Sequence, residues 1–324
     1  MPRPPFQRLA GNLLLLPQYR IFPGVDVRFE GYEEHVPKDQ RVIFAMNHTD
    51  RYNYFPFQFR LWKQHQRYTA TWVKGKYYEN PLVSGFMELT AQIPVPSRGY
   101  LIARDFLSAT GRKPSPEEYE AIRLMLERQT RGEPVSLDEL THELPEALLR
   151  QPRSMLGRPF DPTREDYFEA IRDTFAQMMG HFVRLNEQAL AKDLEIIIFP
   201  QGTRSIRLSA GHIGLAQIAL HLDLPIVPVG CNGCDLVYPG DAPIVRGGTV
   251  TYRFGEPLLP SDYARWRPTE PFAPFTPAAE HRWRPQFQGL VDEVMQRING
   301  LLDERYQFAE DHSSDGVRGT DRFL

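Results

Sequence analysis

Two short stretches hold the residue types from which catalysis is commonly built. The first, Ala45-Met46-Asn47-His48-Thr49-Asp50-Arg51-Tyr52-Asn53, places a histidine immediately after an apolar run. An imidazole is neutral near pH 7 and can accept a proton, provided a neighbour bonds its other ring nitrogen and fixes the tautomer. Asp50 and Asn53 are the local candidates for that neighbour. The second stretch, Ile196-Ile197-Ile198-Phe199-Pro200-Gln201-Gly202-Thr203-Arg204-Ser205, runs from a strand-like segment into a proline and glycine turn that carries an arginine. A guanidinium is a planar fork of donors suited to phosphate, and the turn amides of Gly202 and Thr203 can add to an anion site. Taken singly, each stretch has a plainer explanation. A loop histidine is more often a hydrogen-bonding residue than a base, and a turn arginine commonly pairs with a surface carboxylate.

Such groups act only when a scaffold holds them, and the surrounding pattern describes one. Apolar runs at residues 42–45, 68–73, 196–199, 226–229 and 249–254 predict buried strands. Both reactive stretches lie at strand ends, where α/β proteins place ligands. Phe168, Ile171, Phe175, Met179, Phe182 and Leu185 recur at helical spacing, as do Phe287, Val291, Val294, Ile298 and Leu301. The alternation predicts an α/β fold with a mixed or mostly parallel sheet flanked by helices. Residues 104–165 are richer in charge and proline. There, Ser115 with Glu118 and Ser136 with Glu139 match the capping box that opens a helix, so a helical insertion is expected. The main α/β domain is expected over residues 41–305, after an N-terminal extension of residues 1–40. A loosely attached tail is expected over 306–324, where apolar residues give way to Gly, Ser and Asp.

Composition bounds the partners. With 324 residues, 41% hydrophobic and 24% charged, the chain can bury a sizeable core and is neither fibrous nor disordered in character. A formal net charge of −3 gives no general attraction to nucleic acid, so no nucleic-acid partner is expected and an anion must meet a local basic patch. Cys231 and Cys234 are the only cysteines, and no second pair or spaced histidine pair completes four metal ligands. Two ordinary thiols, no metal and a reducing cytoplasmic setting are expected. The apolar run at residues 9–16 is far short of the ~20 residues a bilayer span needs. Phe6, Leu9, Leu13 and Leu16 line one face of a short helix, which either packs onto the domain or dips into a membrane interface.

Taken in order, the motifs match a pattern. Asn47-His48 with a polar position at Asn53, then Phe199-Pro200-Gln201-Gly202-Thr203-Arg204-Ser205, resemble the first and third motifs of the glycerolipid acyltransferases, the lysophosphatidate acyltransferase family. Lys74-Gly75-Lys76 through Pro81, Gly85 and Ile93 to Arg98 resembles the second motif, and Pro225-Ile226-Val227-Pro228-Val229 the fourth. Residues 211–219 resemble the glycine-started helix between the third and fourth. The resemblance implies a reaction in which the histidine deprotonates an acceptor hydroxyl, which then attacks the thioester of acyl-CoA or acyl carrier protein. On that implication His48 is the base, Asp50 or Asn53 orients it, Arg98 and Arg204 bind phosphate, and Gln201, Gly202 and Thr203 belong to the acceptor site. The acceptor is a lysophospholipid or glycerol phosphate. The acyl donor serves as co-substrate with no further cofactor, and the work is phospholipid biosynthesis, done peripherally at the inner membrane face.

Two positions depart from the family. Its aspartate, five residues after the histidine, is Asn53 here, and its third-motif glutamate is Gln201. An asparagine can hold an imidazole but cannot stabilise an imidazolium by charge, so a rate loss is expected. In a protease triad the corresponding change costs about 10⁴ in turnover. The alternative reading is therefore a lipid-binding relative without turnover. Both departures also leave Arg98 and Arg204 less neutralised, which favours a more anionic ligand. A hydrolase ranks behind both, because no Gly-x-Ser-x-Gly elbow occurs. Among the aromatics around His48, namely Tyr52, Tyr54, Phe55, Phe57, Trp62 and Trp72, most are expected to build core, with the floor of an acyl channel as the alternative. His212 and His221 are expected on the helix after the third motif, in solvent or capping roles.

Overall fold

The computed structural model describes residues 5–75, 81–130 and 144–310. Nine strands form among these residues: β1 (Val25–Glu30), β2 (Ile43–Met46), β3 (Tyr68–Lys74), β4 (Ile93–Val95), β5 (Arg153–Met155), β6 (Arg158–Phe160), β7 (Leu194–Ile198), β8 (Ile226–Asn232) and β9 (Gly248–Phe254). Seven of them make one sheet in the order β1-β9-β8-β2-β7-β3-β4. β2 pairs parallel with both β7 and β8, β3 pairs parallel with β7, and β1 with β9; β9 runs antiparallel to β8. The sheet is thus mixed and mostly parallel, as the alternation of strand and helix patterns predicts.

Burial on both faces explains why its central strands read as continuous apolar runs. In β2, Phe44 and Met46 face a core that holds Phe57 and Leu61 of the helix Tyr54–His65. Ile43 and Ala45 face the opposite core, built with Leu215 and Ala219 of the helix Gly214–Leu222 and Phe287, Val291 and Val294 of the helix Pro277–Gly300. Each large apolar side chain taken fully from water contributes about 1.5–3 kcal/mol. The Glu195 carboxylate in β7 is fully buried beside these strands. It accepts from Arg41 Nη1 at 2.9 Å, Arg67 Nε at 2.5 Å and Val42 N at 2.7 Å, which offsets its desolvation.

Contacts divide the chain into two compact units. The first is built from described residues within Met1–Val73, Asn80–Ile93 and Val183–Gly316, the second from those within Lys74–Glu79 and Pro94–Phe182. Within the second, the helices Arg98–Thr110, Pro116–Thr130 and Glu146–Arg150 and the β5–β6 hairpin surround Leu101, Phe106, Ile122, Leu148 and Phe168. Arg153 grips the buried Asp105 carboxylate with two bonds, at 2.9 and 2.6 Å. The inserted segment is therefore a helical unit with its own core, and broader than residues 104–165. Its expected cap is present: Ser115 N donates to Glu118 Oε2 at 2.7 Å and Glu118 N to Ser115 Oγ at 3.2 Å. Ser136 and Glu139 lie outside the described residues.

Two expected boundaries shift. β1 pairs along its whole length with β9, so residues 25–30 belong to the main sheet and not to an extension ending at residue 40. At the other end, Tyr306 is buried and its hydroxyl donates to Asp235 Oδ1 at 2.7 Å, so the chain is still packed at residue 306. Residues 311–324 lie outside the described residues.

Candidate active site

Because β2 and β7 are parallel neighbours, the turns that leave their C-terminal ends meet. His48 lies two residues beyond β2 and Phe199 directly beyond β7, and their rings stack with centroids 4.2 Å apart and planes 19° apart. Ser205 N donates to His48 O at 2.9 Å and ties the two turns together. On the other side of β2, the Asn47 side chain extends the sheet. Its Oδ1 accepts from Cys231 N at 2.7 Å and its Nδ2 donates to Cys231 O at 3.0 Å, standing in for one more pair of ladder bonds with β8.

Asn53 is the partner of the imidazole. His48 Nδ1 lies 3.2 Å from Asn53 Oδ1, while Asn53 Nδ2 donates to Asn47 O at 2.8 Å. With the amide nitrogen so committed, the oxygen is what faces the ring, and this network assigns the proton to Nδ1 and the lone pair to Nε2. Asn53 is fully buried, and its own carbonyl accepts from Tyr252 Oη at 2.5 Å. Asp50, the other candidate neighbour, has its oxygens committed elsewhere. Oδ1 accepts from Tyr52 N at 2.7 Å, Oδ2 from Thr49 Oγ1 at 2.9 Å, and the Cys234 thiol also bonds the carboxylate. Burial pushes the Asp50 carboxyl up to about 6, with those hydrogen bonds opposing the rise. Cys231 and Cys234 are both free and buried, and burial raises the Cys234 thiol well above its ordinary value, which leaves little thiolate for chemistry.

The third-motif turn differs from expectation at two residues. Gly202 N donates to Phe199 O at 3.0 Å, so this amide closes the turn and does not serve an anion. Gly202 is needed for space and conformation instead. Its φ is 68°, and a Cβ there would approach His212 Cδ2 to 2.7 Å. Gln201 is 2% exposed and binds protein rather than lining an acceptor site. Its Oε1 accepts from His48 N at 2.9 Å, and its Nε2 donates to Arg207 O and Ser209 Oγ, both at 3.3 Å. The position requires an acceptor and a donor on one side chain, which an amide supplies and a carboxylate does not.

Thr203 and Arg204 are half-buried, and among the described residues the Arg204 guanidinium has neither a hydrogen bond nor an ion pair. His212 precedes the helix Gly214–Leu222 instead of lying on it, whereas His221 lies on it with Nε2 3.1 Å from Glu187 Oε1. Arg98 belongs to the second unit, where it opens the helix Arg98–Thr110 and sits 5.1 Å over the Phe175 ring.

Most of the aromatics are core, yet some also form a groove. Tyr54 has its ring 6.4 Å from that of Phe199, and together with Leu14, Leu15, Phe55, Phe59 and Phe86 it lines a small cavity of about 50 Å³ whose wall also carries Gln7, Gln58, Thr90 and Gln92. Sequence reasoning missed Phe199 and Tyr252 as neighbours of the candidate base and its partner. The strand end at Ile198 was a usable signal for Phe199; Tyr252 had none, since it arrives from β9.

Residues 26–130 match the family model described as Acyltransferase. Over 74 residues the chain is 38% identical to a 1-acyl-sn-glycerol-3-phosphate acyltransferase of Cocos nucifera, a match that covers 22% of this chain and 24% of that protein. The chain thus spans about a quarter of the length of the curated relative it matches. Among solved structures it is similar to PlsC, the 1-acyl-sn-glycerophosphate (LPA) acyltransferase of Thermotoga maritima, at 16% identity and a TM-score of 0.39, over 90% of this chain and 76% of that one.

Proposed function

We propose that the chain is a glycerolipid acyltransferase, the family its motifs resemble and whose model matches residues 26–130, and that it moves an acyl group from a thioester donor, acyl-CoA or acyl carrier protein, to a hydroxyl of a lysophospholipid or glycerol phosphate. The observation that carries the reading is the bond between Asn53 Oδ1 and His48 Nδ1, which leaves the lone pair on Nε2 at the end of β2. In this reaction the acceptor hydroxyl gives its proton to Nε2 while its oxygen attacks the thioester carbonyl. The carbon–sulfur bond then breaks, and the departing thiolate takes the proton from the imidazolium to leave as a thiol. Arg204, with no acidic partner among the described residues, supports recognition of an acceptor phosphate, and Thr203 lies beside it in the turn. Arg98 enters the proposal through its motif alone. Asn53 offers a neutral oxygen where a carboxylate would offer charge, so turnover is expected to be modest.

The test is transfer of labelled acyl groups from acyl-CoA and from acyl carrier protein to a panel of lysophospholipids and to glycerol phosphate, with His48→Ala beside the unaltered protein. Product is expected, and the variant is expected to lose about 10²–10⁴-fold in rate, the usual contribution of a general base. Absence of product with either donor, together with retained lysolipid binding, would overturn the catalytic reading and leave a lipid-binding protein.

A further inference from the structure

We propose that the phenyl face of Phe199 supplies part of the stabilisation that a carboxylate on His48 would give, favouring the imidazolium that forms as the acceptor's proton arrives. The inference rests on His48 acting as base. Phe199 is then a positioning residue that works through His48.

The geometry is that of a cation held against an aromatic face. The centroids lie 4.2 Å apart with the planes 19° from parallel, well within the ~6 Å over which a ring quadrupole attracts a cation. Phe199 is only 9% exposed, so water screens that face poorly, and the residue cannot drift because it continues β7 directly alongside β2. The groups around the imidazole make the ring face matter more. On the histidine's own loop, Asn53 presents a neutral oxygen to Nδ1, and Asp50 is bound by Tyr52, Thr49 and Cys234. From the opposing turn come Gln201, which is neutral and bonds the His48 amide, and Arg204, which is cationic. His212, packed over Gly202, adds another potential cation to that side. Among these groups, the electron-rich surface laid against the imidazole is the Phe199 ring.

Replacing Phe199 with pentafluorophenylalanine keeps the shape while reversing the ring's quadrupole, so it separates electrostatics from packing; Phe199→Leu removes the face altogether. The measurement is the ionisation of His48, followed by NMR of its ring carbons in the whole protein, together with the pH profile of acyl transfer. Stabilising the imidazolium raises the imidazole pKa, so both variants should titrate lower, by about half a unit or more, and Phe199→Tyr should stay close to the original. The acid limb of kcat/KM should move down in pH by the same amount, kcat should fall about threefold or more with KM little changed, and adding Asn53→Asp should restore the lost ground. An unchanged His48 titration in the folded fluorinated protein would overturn the proposal, as would an upward shift. Because the titration is read without turnover, a protein that fails to transfer acyl groups sinks the proposed function but leaves this test readable.

Discussion

Asp50 stands two residues from the candidate base, yet its effect falls on stability. Desolvation raises its folded-state ionisation to about 6, while an aspartate in an unfolded chain ionises near ~3.9. At pH values below both, the folded and unfolded forms are equally protonated. Between them the unfolded chain has released a proton that the folded chain retains, so stability falls as pH rises from about 4 to about 6 and stays lower above that. Asp50→Asn keeps an oxygen for the Tyr52 amide and removes the buried charge. Its stability relative to the original protein should therefore climb across that window, by about 1–3 kcal/mol between pH 4 and pH 7.5 in urea unfolding. A difference that does not vary with pH would show that the titration belongs to another group. Turnover should change only a few-fold, since Nδ1 of His48 is bonded by Asn53.

The turns after β2 and β7 behave as one element, joined by Gln201 and by the bond from Ser205 N to His48 O. Gln201→Glu, which would restore the family's residue, removes the donor that serves Arg207 O and Ser209 Oγ and sets a carboxylate oxygen against a carbonyl. We predict a loss of about 1–3 kcal/mol in stability, measurable by urea unfolding, and no gain in acceptor affinity by lysolipid titration. Tighter acceptor binding in the variant would instead return position 201 to the acceptor site. This element also marks how far the sequence could be read. His48 and Asn53 are close in the chain, so Asn53 was visible as one of two candidate neighbours, beside Asp50. The central strands were visible because burial on both faces makes them apolar throughout. β1 was legible too: Val25, Val27 and Phe29 alternate with Asp26, Arg28 and Glu30 between Gly24 and Gly31, the pattern of a half-buried strand, which the assignment of residues 1–40 to an extension overlooks. The roles of Gln201, Phe199 and Tyr252 were not legible, because their partners are brought by strand order and register, which no local pattern encodes.

At the scale of the whole molecule, a lysophospholipid acceptor of the kind proposed would be met at a membrane surface. No described helix is long and apolar enough to cross a bilayer. The expected apolar face of Phe6, Leu9, Leu13 and Leu16 is split: Leu9 and Leu13 are exposed, whereas Phe6 and Leu16 are partly buried and Leu16 packs on the core. A π-helical turn over Gly11–Leu15 is the reason, since its wider winding rotates the face and brings Leu14 outward. Ile21 and Phe22 come next in the chain, at 80% and 82% exposure. Exposed Ile244 lies alongside, because Val245 N donates to Gln18 Oε1 at 3.1 Å. Arg8, Arg20 and Arg246 are exposed among these residues. Apolar side chains interspersed with cations are the composition of an interfacial surface, where burial and attraction to anionic lipid add. We predict binding to vesicles rich in phosphatidylglycerol and weaker binding to phosphatidylcholine. Leu13→Glu with Phe22→Glu should reduce partitioning by about tenfold or more, about 1.4 kcal/mol, while leaving Tm unchanged because neither side chain is buried. Partitioning that survives both substitutions would place the membrane contact elsewhere, and binding indifferent to lipid charge would remove the arginines from the argument while leaving the apolar surface in it.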